Sequence, residues 1–198
     1  VQTCALPICT TTPSVFSPQS NEELKSAIDA SVKLSPTGDC PDCPHGPIGE
    51  WDVSRVTDMS SLFLRATSFN GDISKWDLSQ VITTDTMFSS ATSFNGDISK
   101  WDVSRVQHMA HMFSEALLFN GDVSTWDVSS VVTMDYMFWK AVCFERRLCR
   151  APWVNSKASR REMFTGSSGS IPRTVCTATF VSREALKSAV AACLDRKS

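Results

Sequence analysis

Residues 94–113 read FNGDISKWDVSRVQHMAHMF, and closely related segments recur along the chain at a fixed step of 25 residues. Each copy carries a Trp-Asp pair, a first Phe after a long apolar residue, and a second Phe six positions later. The repeated aromatic positions are Trp51, Trp76, Trp101 and Trp126; Phe63, Phe88, Phe113 and Phe138; and Phe69, Phe94, Phe119 and Phe144. A strict period over four copies without insertions predicts that each copy is one structural unit stacked on its neighbours.

The pattern inside one copy predicts a strand followed by a short helix. Residues 75–79 alternate polar and apolar side chains, which is typical of a strand with one buried face. Apolar residues between 81 and 91 then recur at a spacing of three to four, which favours one or two helical turns. The Phe-Asn-Gly of residues 94–96 turns the chain back. Successive strands are expected to form a parallel sheet, with one strand in each coil.

The repeated line resembles the BspA-like leucine-rich-repeat surface protein family, which includes a domain of unknown function in mycoplasma surface proteins. Its closest likeness is to tandem versions in protists of the dinoflagellate type. The resemblance extends over residues 47–145 and, more weakly, over 146–175. It implies an α/β solenoid, a leucine-rich-repeat-like right-handed stack of about four strand–short helix coils. It also implies a cell-surface or secreted setting and a role in adhesion or ligand binding.

The chain outside the regular copies divides into caps and tails. We expect an irregular tail at 1–15 whose first eight residues are an assembly artefact, and an N-terminal helix with a Cys-containing cap at 16–46. Four repeats follow at 47–145, then a degenerate capping coil at 146–178. The line Leu186-Lys-Ser-Ala-Val190 repeats Leu24-Lys-Ser-Ala-Ile28. This internal match predicts that 179–198 begins a following module of a longer tandem protein.

The eight Cys residues lie toward the two ends of the chain, which favours disulfides that hold the caps and hence an oxidising compartment. The candidates are Cys40, Cys43, Cys143, Cys149, Cys176 and Cys193. Free thiols are one alternative, and a zinc site at Cys40, Cys43 and His45 is another, although it lacks an evident fourth ligand. The spacings do not assign any pairing.

The polar residues of the predicted strand form the main candidate binding surface. If Trp76 and Leu78 point inward, their polar neighbours must point outward in rows across the stack. The candidate ligand-binding residues are Lys75, Asp77, Ser79, Lys100, Asp102, Ser104 and Asp127. The alternative is a solvated face on which Lys and Asp compensate each other.

Three further polar groups each have a structural interpretation beside a functional one. The repeated Asn-Gly-Asp, as in residues 95–97, suits turn chemistry, and its stacked oxygens are also of the kind that bind Ca²⁺. His108 and His111 favour a solvated helix face over a metal site. A local excess of Arg over 146–161 is either a solvated cap or a contact for an acidic partner or a sulfated glycan.

Composition excludes several classes of protein. The chain has 198 residues, with 19 Lys and Arg against 21 Asp and Glu, which does not suit a nucleic-acid-binding surface. It shows no apolar run long enough for a membrane span, no visible signal peptide, and no phosphate-binding or hydrolase motif. We therefore expect a non-catalytic extracellular or cell-surface module, without cofactor or metal, that binds a protein or carbohydrate and neighbouring modules. The alternatives are a passive spacer in a multi-module coat and an enzyme.

Overall fold

A computed structural model of the protein describes residues 15–176. Helix is confined there to α1 (Asn21–Leu34), a 3₁₀ helix (Ile48–Glu50) and α2 (Ala151–Asn155). Between the last two lie 100 residues without helix or extended strand, whose β pairing is limited to isolated parallel bridges. The bridges join Asp58 to Thr83, Thr83 to His108, His108 to Thr133, Thr133 to Ser159, and Arg147 to Ser170. The prediction of regular strand–helix coils joined by a parallel sheet is therefore wrong.

The copies nevertheless lie on one another as coils, which we define as residues 51–75, 76–100, 101–125, 126–150 and 151–176. The bridged residues are one coil apart: the first four bridges have steps of 25, 25, 25 and 26 positions, and Arg147 to Ser170 has a step of 23. Each coil contributes one short segment to this pairing, and its other residues lie in turns. The register is therefore kept without an extended sheet.

The segment predicted as a helix is a run of consecutive turns. In the second coil, Met87, Ser89 and Ala91 donate their N–H groups to the carbonyls three residues earlier, at 3.0–3.1 Å. Thr86 and Ser90 have positive φ, at 56° and 58°, which interrupts any α-helix. A chain of such turns buries side chains at a spacing of three to four, so the apolar pattern does not distinguish it from a helix.

The segment predicted as a strand also consists of turns. Trp76 donates its N–H to the carbonyl of Ile73 at 3.1 Å, and Val81 donates to Leu78 at 2.9 Å. These four apolar residues are buried, while the polar residues between them form the corners of the turns. The alternation at 75–79 therefore arises from two adjoining turns.

Backbone hydrogen bonds join each coil to the next. In the second coil, the N–H groups of Thr84, Thr86, Phe88 and Ser90 donate to carbonyls of the third coil at 2.7–2.9 Å. Equivalent residues make the same bonds from the first to the second coil, from the third to the fourth, and from the fourth to the fifth. The N–H groups of the residues between them close the turns, so both sets of donors in this segment are satisfied.

Two columns of stacked Phe rings run through the core. The first column has ring centroids 5.2–5.7 Å apart and the second has them 5.9–6.0 Å apart, with interplanar angles of 14° or less. The first contains Phe63, Phe88, Phe113, Phe138 and Phe164, and the second contains Phe69, Phe94, Phe119 and Phe144. Within each of the first four coils the two Phe rings also stack, at 3.8–4.1 Å.

The Trp side chains add a third column, whose indole N–H groups bond to backbone more than one full repeat earlier in the chain. Trp76, Trp101 and Trp126 each donate Nε1–H to a backbone carbonyl 28 residues earlier, at 2.9–3.1 Å. Trp76 and Trp101 are only 3% and 4% exposed. The ring is buried and its one polar atom is paired, which is how a buried indole avoids an unsatisfied donor.

Both ends of the stack are covered by less regular chain. At the start, Ser20 caps α1 by accepting from the N–H of Glu23 at 3.2 Å, and Leu24 and Ile28 pack into the core. In the fifth coil, Trp153 is fully buried and donates to the carbonyl of Val123 at 3.1 Å. The predicted tail at 1–15, apart from Val15, and the predicted following module at 179–198 lie outside the described residues.

Replacing Trp101 by Ala is expected to lower the free energy of unfolding by about 3–5 kcal/mol, because a large buried ring and its hydrogen bond are lost together. Urea unfolding monitored by circular dichroism measures the change. The matched control is Trp139→Ala, since Trp139 is half-buried and carries Lys140 over its ring at 3.9 Å. We expect that control to cost about 1 kcal/mol. Equal losses would contradict the buried Trp column.

The left-handed residues give a second prediction, at Arg65, which is exposed and has a φ of 60°. Val is strained at positive φ and Gly is not, so Arg65→Val is expected to be less stable than Arg65→Gly by about 1–2 kcal/mol. At exposed Arg173, where φ is not positive, the same pair should show no preference for Gly. The urea midpoints of unfolding of the four variants test this prediction. Equal midpoints for Arg65→Val and Arg65→Gly would contradict the left-handed turn.

Candidate functional site

The predicted binding residues lie at turn corners and not on a strand. Lys75 and Asp77 are exposed and Ser79 is half-buried. The same arrangement recurs one coil later at Lys100, Asp102 and Ser104, and again at Asp127. The structure therefore places these residues in rows across the stack, although the flat strand face expected from the sequence is absent.

Each aspartate in these rows closes its own turn. The Oδ1 atom of Asp77 accepts the N–H of Ser79 at 2.9 Å, and Asp102 and Asp127 accept from Ser104 and Ser129 at 3.0 Å. A second row, in the Asn-Gly-Asp segment, does the same. It consists of Asp72, Asp97 and Asp122, which accept from Ser74, Ser99 and Ser124 at 2.9–3.0 Å. The recurring Asp-x-Ser is thus an Asx turn, used twice in each of the first three coils and once in the fourth.

These hydrogen bonds stabilise the charged carboxylates. The side chain and then the backbone N–H of the following Ser lower the pKa of Asp52, Asp72, Asp97 and Asp102 below the usual value for aspartate, against a small opposing effect of burial. In each pair of Asp and Ser, one carboxylate oxygen accepts the hydrogen bonds of the turn, and the other oxygen remains at the surface. These four aspartates therefore carry a stable negative charge at neutral pH.

Lys75 does not compensate Asp77 as the solvated-face interpretation expects. Its Nζ lies 2.5 Å from Oε1 of Glu50, the last residue of the 3₁₀ helix before the first coil. The hydrogen bond and the charge of Glu50 raise the pKa of Lys75. Both side chains are about two-thirds exposed, so the pair contributes little to stability.

The repeated asparagines accept backbone N–H groups from the next coil. The Oδ1 atom of Asn70 accepts the N–H of Asn95 at 2.8 Å, and Asn95 accepts from Asn120 in the same way. Asn120 then accepts from Glu145 at 3.3 Å. With the Asn oxygens between coils and one oxygen of each neighbouring Asp in a turn, the described residues hold no group of carboxylates and His that suits a metal ion.

An aromatic and cationic cluster lies beside the segment whose N–H groups bond to the next coil. The sequence pattern does not reveal this cluster. His111 stacks on Tyr136 with ring centroids 4.7 Å apart, and Arg161 lies over the Tyr136 ring at 5.8 Å. All three occupy neighbouring coils, so only the register of the stack brings them together. His108, the other half of the predicted pair, contributes its backbone to two bridges.

Two disulfides are present among the described cysteines. One joins Cys40 to Cys43 and the other joins Cys149 to Cys176. The first removes both thiolates that the alternative zinc site would need, and His45 stacks on Phe16 at 4.0 Å. Cys143 is buried and is also disulfide-bonded, as expected for a candidate, and Cys193 lies outside the described residues. Disulfides fit an extracellular protein.

Some Arg side chains near the basic end of the chain donate hydrogen bonds to the protein's own backbone. Arg146 donates from Nε and Nη2 to the carbonyl of Asn120, at 3.0 and 2.7 Å. Arg160 donates from Nη2 to the carbonyls of Trp153 and Ser156, and burial lowers its pKa. The predicted basic cap is therefore in part a structural feature. No helix among residues 15–176 is long and apolar enough to cross a membrane.

One comparison with known proteins gives a match. The model of a family described as "Mycoplasma protein of unknown function, DUF285" matches residues 38–168, which covers all four regular copies and most of the fifth coil. Neither a curated protein nor a solved structure matches the chain. The match supports the coarser part of the resemblance inferred from the repeats, and it does not extend to the BspA-like or protist assignment.

The Asx turns predict a difference between two substitutions of one residue. Asp102→Ala removes the acceptor and is expected to lower the free energy of unfolding by about 1 kcal/mol. Asp102→Asn keeps an oxygen at the same position and should lose less than half of that. Chemical denaturation at pH 7 measures both, and equal losses would contradict the turn-closing role.

The lowered pKa values predict a loss of stability in acid. A carboxylate whose pKa is lower in the folded than in the unfolded state stabilises the fold above the unfolded value, about 3.9. That stabilisation is lost as the pH falls through the folded values. We expect the urea midpoint to fall between pH 5 and pH 2, and to fall less in a variant in which Asp52, Asp72, Asp97 and Asp102 are all replaced by Asn. Identical pH profiles would contradict the assignment.

The disulfide between Cys149 and Cys176 is expected to stabilise the fifth coil. Its two residues are 27 positions apart, so replacing both with Ser should cost about 3 kcal/mol, mainly because the unfolded chain gains freedom. The matched control replaces Cys40 and Cys43, which are three positions apart and should cost less. Mass spectrometry of the non-reduced protein checks that the bonds exist, and unfolding in urea measures their contribution.

Proposed function

This chain belongs to the family of mycoplasma proteins of unknown function that matches it, and we propose that it is a non-catalytic interaction module at a cell surface or outside the cell. Its partner is a protein or a glycan, bound through the repeated Asp-Ser corners of the coils. Further modules of the same kind adjoin it in a longer chain. The two disulfides support the extracellular setting.

The observation that carries this proposal is the repetition of one charged corner at a constant step. Asp77, Asp102 and Asp127 are exposed, and each keeps one oxygen outside its turn. Stacked Phe rings of neighbouring coils have centroids 5.2–6.0 Å apart and hold the coils in one register, so a ligand meets the same group once in each coil. Such a surface suits a polar, extended partner that makes many weak contacts.

The use of the polar residues supports a non-catalytic role. Acid–base catalysis by a pair of carboxylates needs two different environments, whereas these aspartates repeat the same environment in the first four coils. Their first oxygen is held by a backbone N–H, and the recurring Asn side chains are held between coils. The repeated polar groups thus build the coil and present its charge.

The second candidate function is a passive spacer in a multi-module coat. It is favoured by the same Asx turns, because a residue required by the turn recurs whether or not a ligand binds it. Continuous aromatic columns and a backbone ladder make the stack stiff along its axis, which suits a spacer equally well.

The experiment that separates the two functions replaces Asp77, Asp102 and Asp127 together with Asn. Asn accepts the same Ser N–H, so the fold should survive while three surface charges are lost. Binding to arrays of glycans and extracellular proteins is expected to fall at least tenfold for any partner of this row. The matched control places Asn at Asp72, Asp97 and Asp122, in the other row. A partner whose affinity neither variant changes would contradict the proposed surface, and the absence of any partner would favour the spacer.

A further inference from the structure

The hydrogen-bonded ladder between coils has a direction. The four donating N–H groups of each coil point to the following coil, and the accepting carbonyls point back. In the fourth coil the donors are Met134, Tyr136, Phe138 and Lys140, which bond to carbonyls of the fifth coil at 2.7–2.9 Å. A stack built in this way must end in a row of carbonyls on one side and a row of N–H groups on the other.

The carbonyl end is capped by the chain itself. Nδ2 of Asn21, the first residue of α1, donates to the carbonyls of Asp58 and Ser60 at 3.0 Å each. In each later coil, the carbonyls at the corresponding positions accept N–H groups from the coil before it. The start of the ladder is therefore partly closed to other chains.

Among residues 15–176, the N–H end of the stack has no covering partner. By the register of the stack, the fifth-coil counterparts of the donors are Arg160, Glu162, Phe164 and Gly166. Within residues 15–176 none of these four N–H groups has an acceptor, although the intervening ones are paired. Glu162 and Gly166 are exposed, and Arg160 and Phe164 are half-buried. An unpaired row of this kind is a template on which another chain can pair.

The local shape suits an acceptor that carries negative charge. Glu162 and Gly166 have positive φ, at 54° and 79°, and alternating backbone conformations of this kind gather N–H groups into an anion-binding concavity. A shallow depression of about 440 Å³ lies beside the row and is lined by Phe164, Gly169 and Ile171 among others.

The charge of the chain changes sign at this end. Residues 140–176 contain eight Lys and Arg against two Glu, a net charge of +6. Residues 15–139 contain seven Lys and Arg against seventeen Asp and Glu, a net charge of −10. Arg147, Arg150, Lys157 and Arg173 are exposed and form no ion pair among the described residues. Glu162 is the exposed acid here, and its carboxylate accepts from the hydroxyl of Thr165.

We propose that this open edge binds an extended, acidic polypeptide segment of a partner protein. The partner's carbonyls accept from the free N–H row, as the next coil does elsewhere in the stack, and its Asp and Glu side chains meet the exposed cations. The mode is the addition of a strand-like segment to an open edge. This inference deepens the proposed function and uses a different surface, so its failure leaves the test of the Asp row intact.

A polypeptide fits this edge better than a sulfated glycan does. In the preceding coils the row accepts peptide carbonyls carried on alternate residues, at N···O distances of 2.7–2.9 Å. A glycan offers sulfates to the Arg and Lys side chains, but it has no carbonyls at that spacing. The two ligands are therefore distinguished by whether the backbone N–H groups become protected.

The direct test is amide hydrogen exchange of the full chain with a defined probe. The probe is a blocked ten-residue peptide of alternating Glu and Thr. Exchange at Glu162, Phe164 and Gly166 is expected to be fast in the free protein and at least tenfold slower with saturating peptide. Amides of the fourth-coil donors, such as Phe138, should be protected in both states and serve as the internal reference. Peptide binding without this protection would overturn the proposal.

Three matched ligands and two matched variants complete the test. Polyacrylate of equal charge carries carboxylates without peptide carbonyls, a Lys-Thr peptide reverses the charge, and a heparin oligosaccharide represents sulfated glycans. None of them should protect the row. Replacing Arg147, Lys157 and Arg173 with Gln should raise the dissociation constant of the acidic peptide at least fivefold, whereas Gln at Arg55, Lys100 and Arg105 should not. Tighter binding of heparin than of peptide, or equal effects of the two triple variants, would overturn the proposal.

Discussion

The backbone hydrogen bonds from one coil to the next are the constraint on which the rest of this structure depends. They fix a register of 25 residues, and they do so with only a short segment of each coil. Once that register is set, every Phe meets the Phe of the next coil and every Asn meets the next backbone N–H. The fourth coil already loses the Asn-Gly-Asp turn, and the fifth coil, at a step of 26, keeps the ladder and the first Phe column.

The ladder also explains the unusual backbone. To place alternate N–H groups toward the next coil while the others close turns, residues such as Thr86 and Tyr136 adopt positive φ, which disfavours side chains with a Cβ. Their cost is offset by burial of the Met and Phe residues between them, which are removed from water almost completely. The strain and the core therefore come from the same segment and cannot be separated.

A directional ladder gives the two ends of the stack different chemistry. One end shows carbonyls and is covered by α1 and Asn21, and the other shows N–H groups in a basic setting. The sides of the stack repeat the same acidic corners in each coil. The molecule thus has a uniform surface along its length and a distinct one at its C-terminal coil, and these suit different partners.

The sequence by itself determined the repeat, its boundaries and its buried set. A strict period in Trp51, Trp76, Trp101 and Trp126 is unambiguous, and large aromatic residues at a constant step must be buried together. It did not determine the backbone, because turns such as those of residues 84–91 bury side chains at the same spacing as a helix, and the corners at 75–79 alternate as a strand does. Nor did it determine the role of Asp77 or the open edge at Glu162 and Phe164. Whether a carboxylate closes its own turn, and whether an N–H group finds an acceptor, depends on what the neighbouring coil places beside it, and only the tertiary structure decides that.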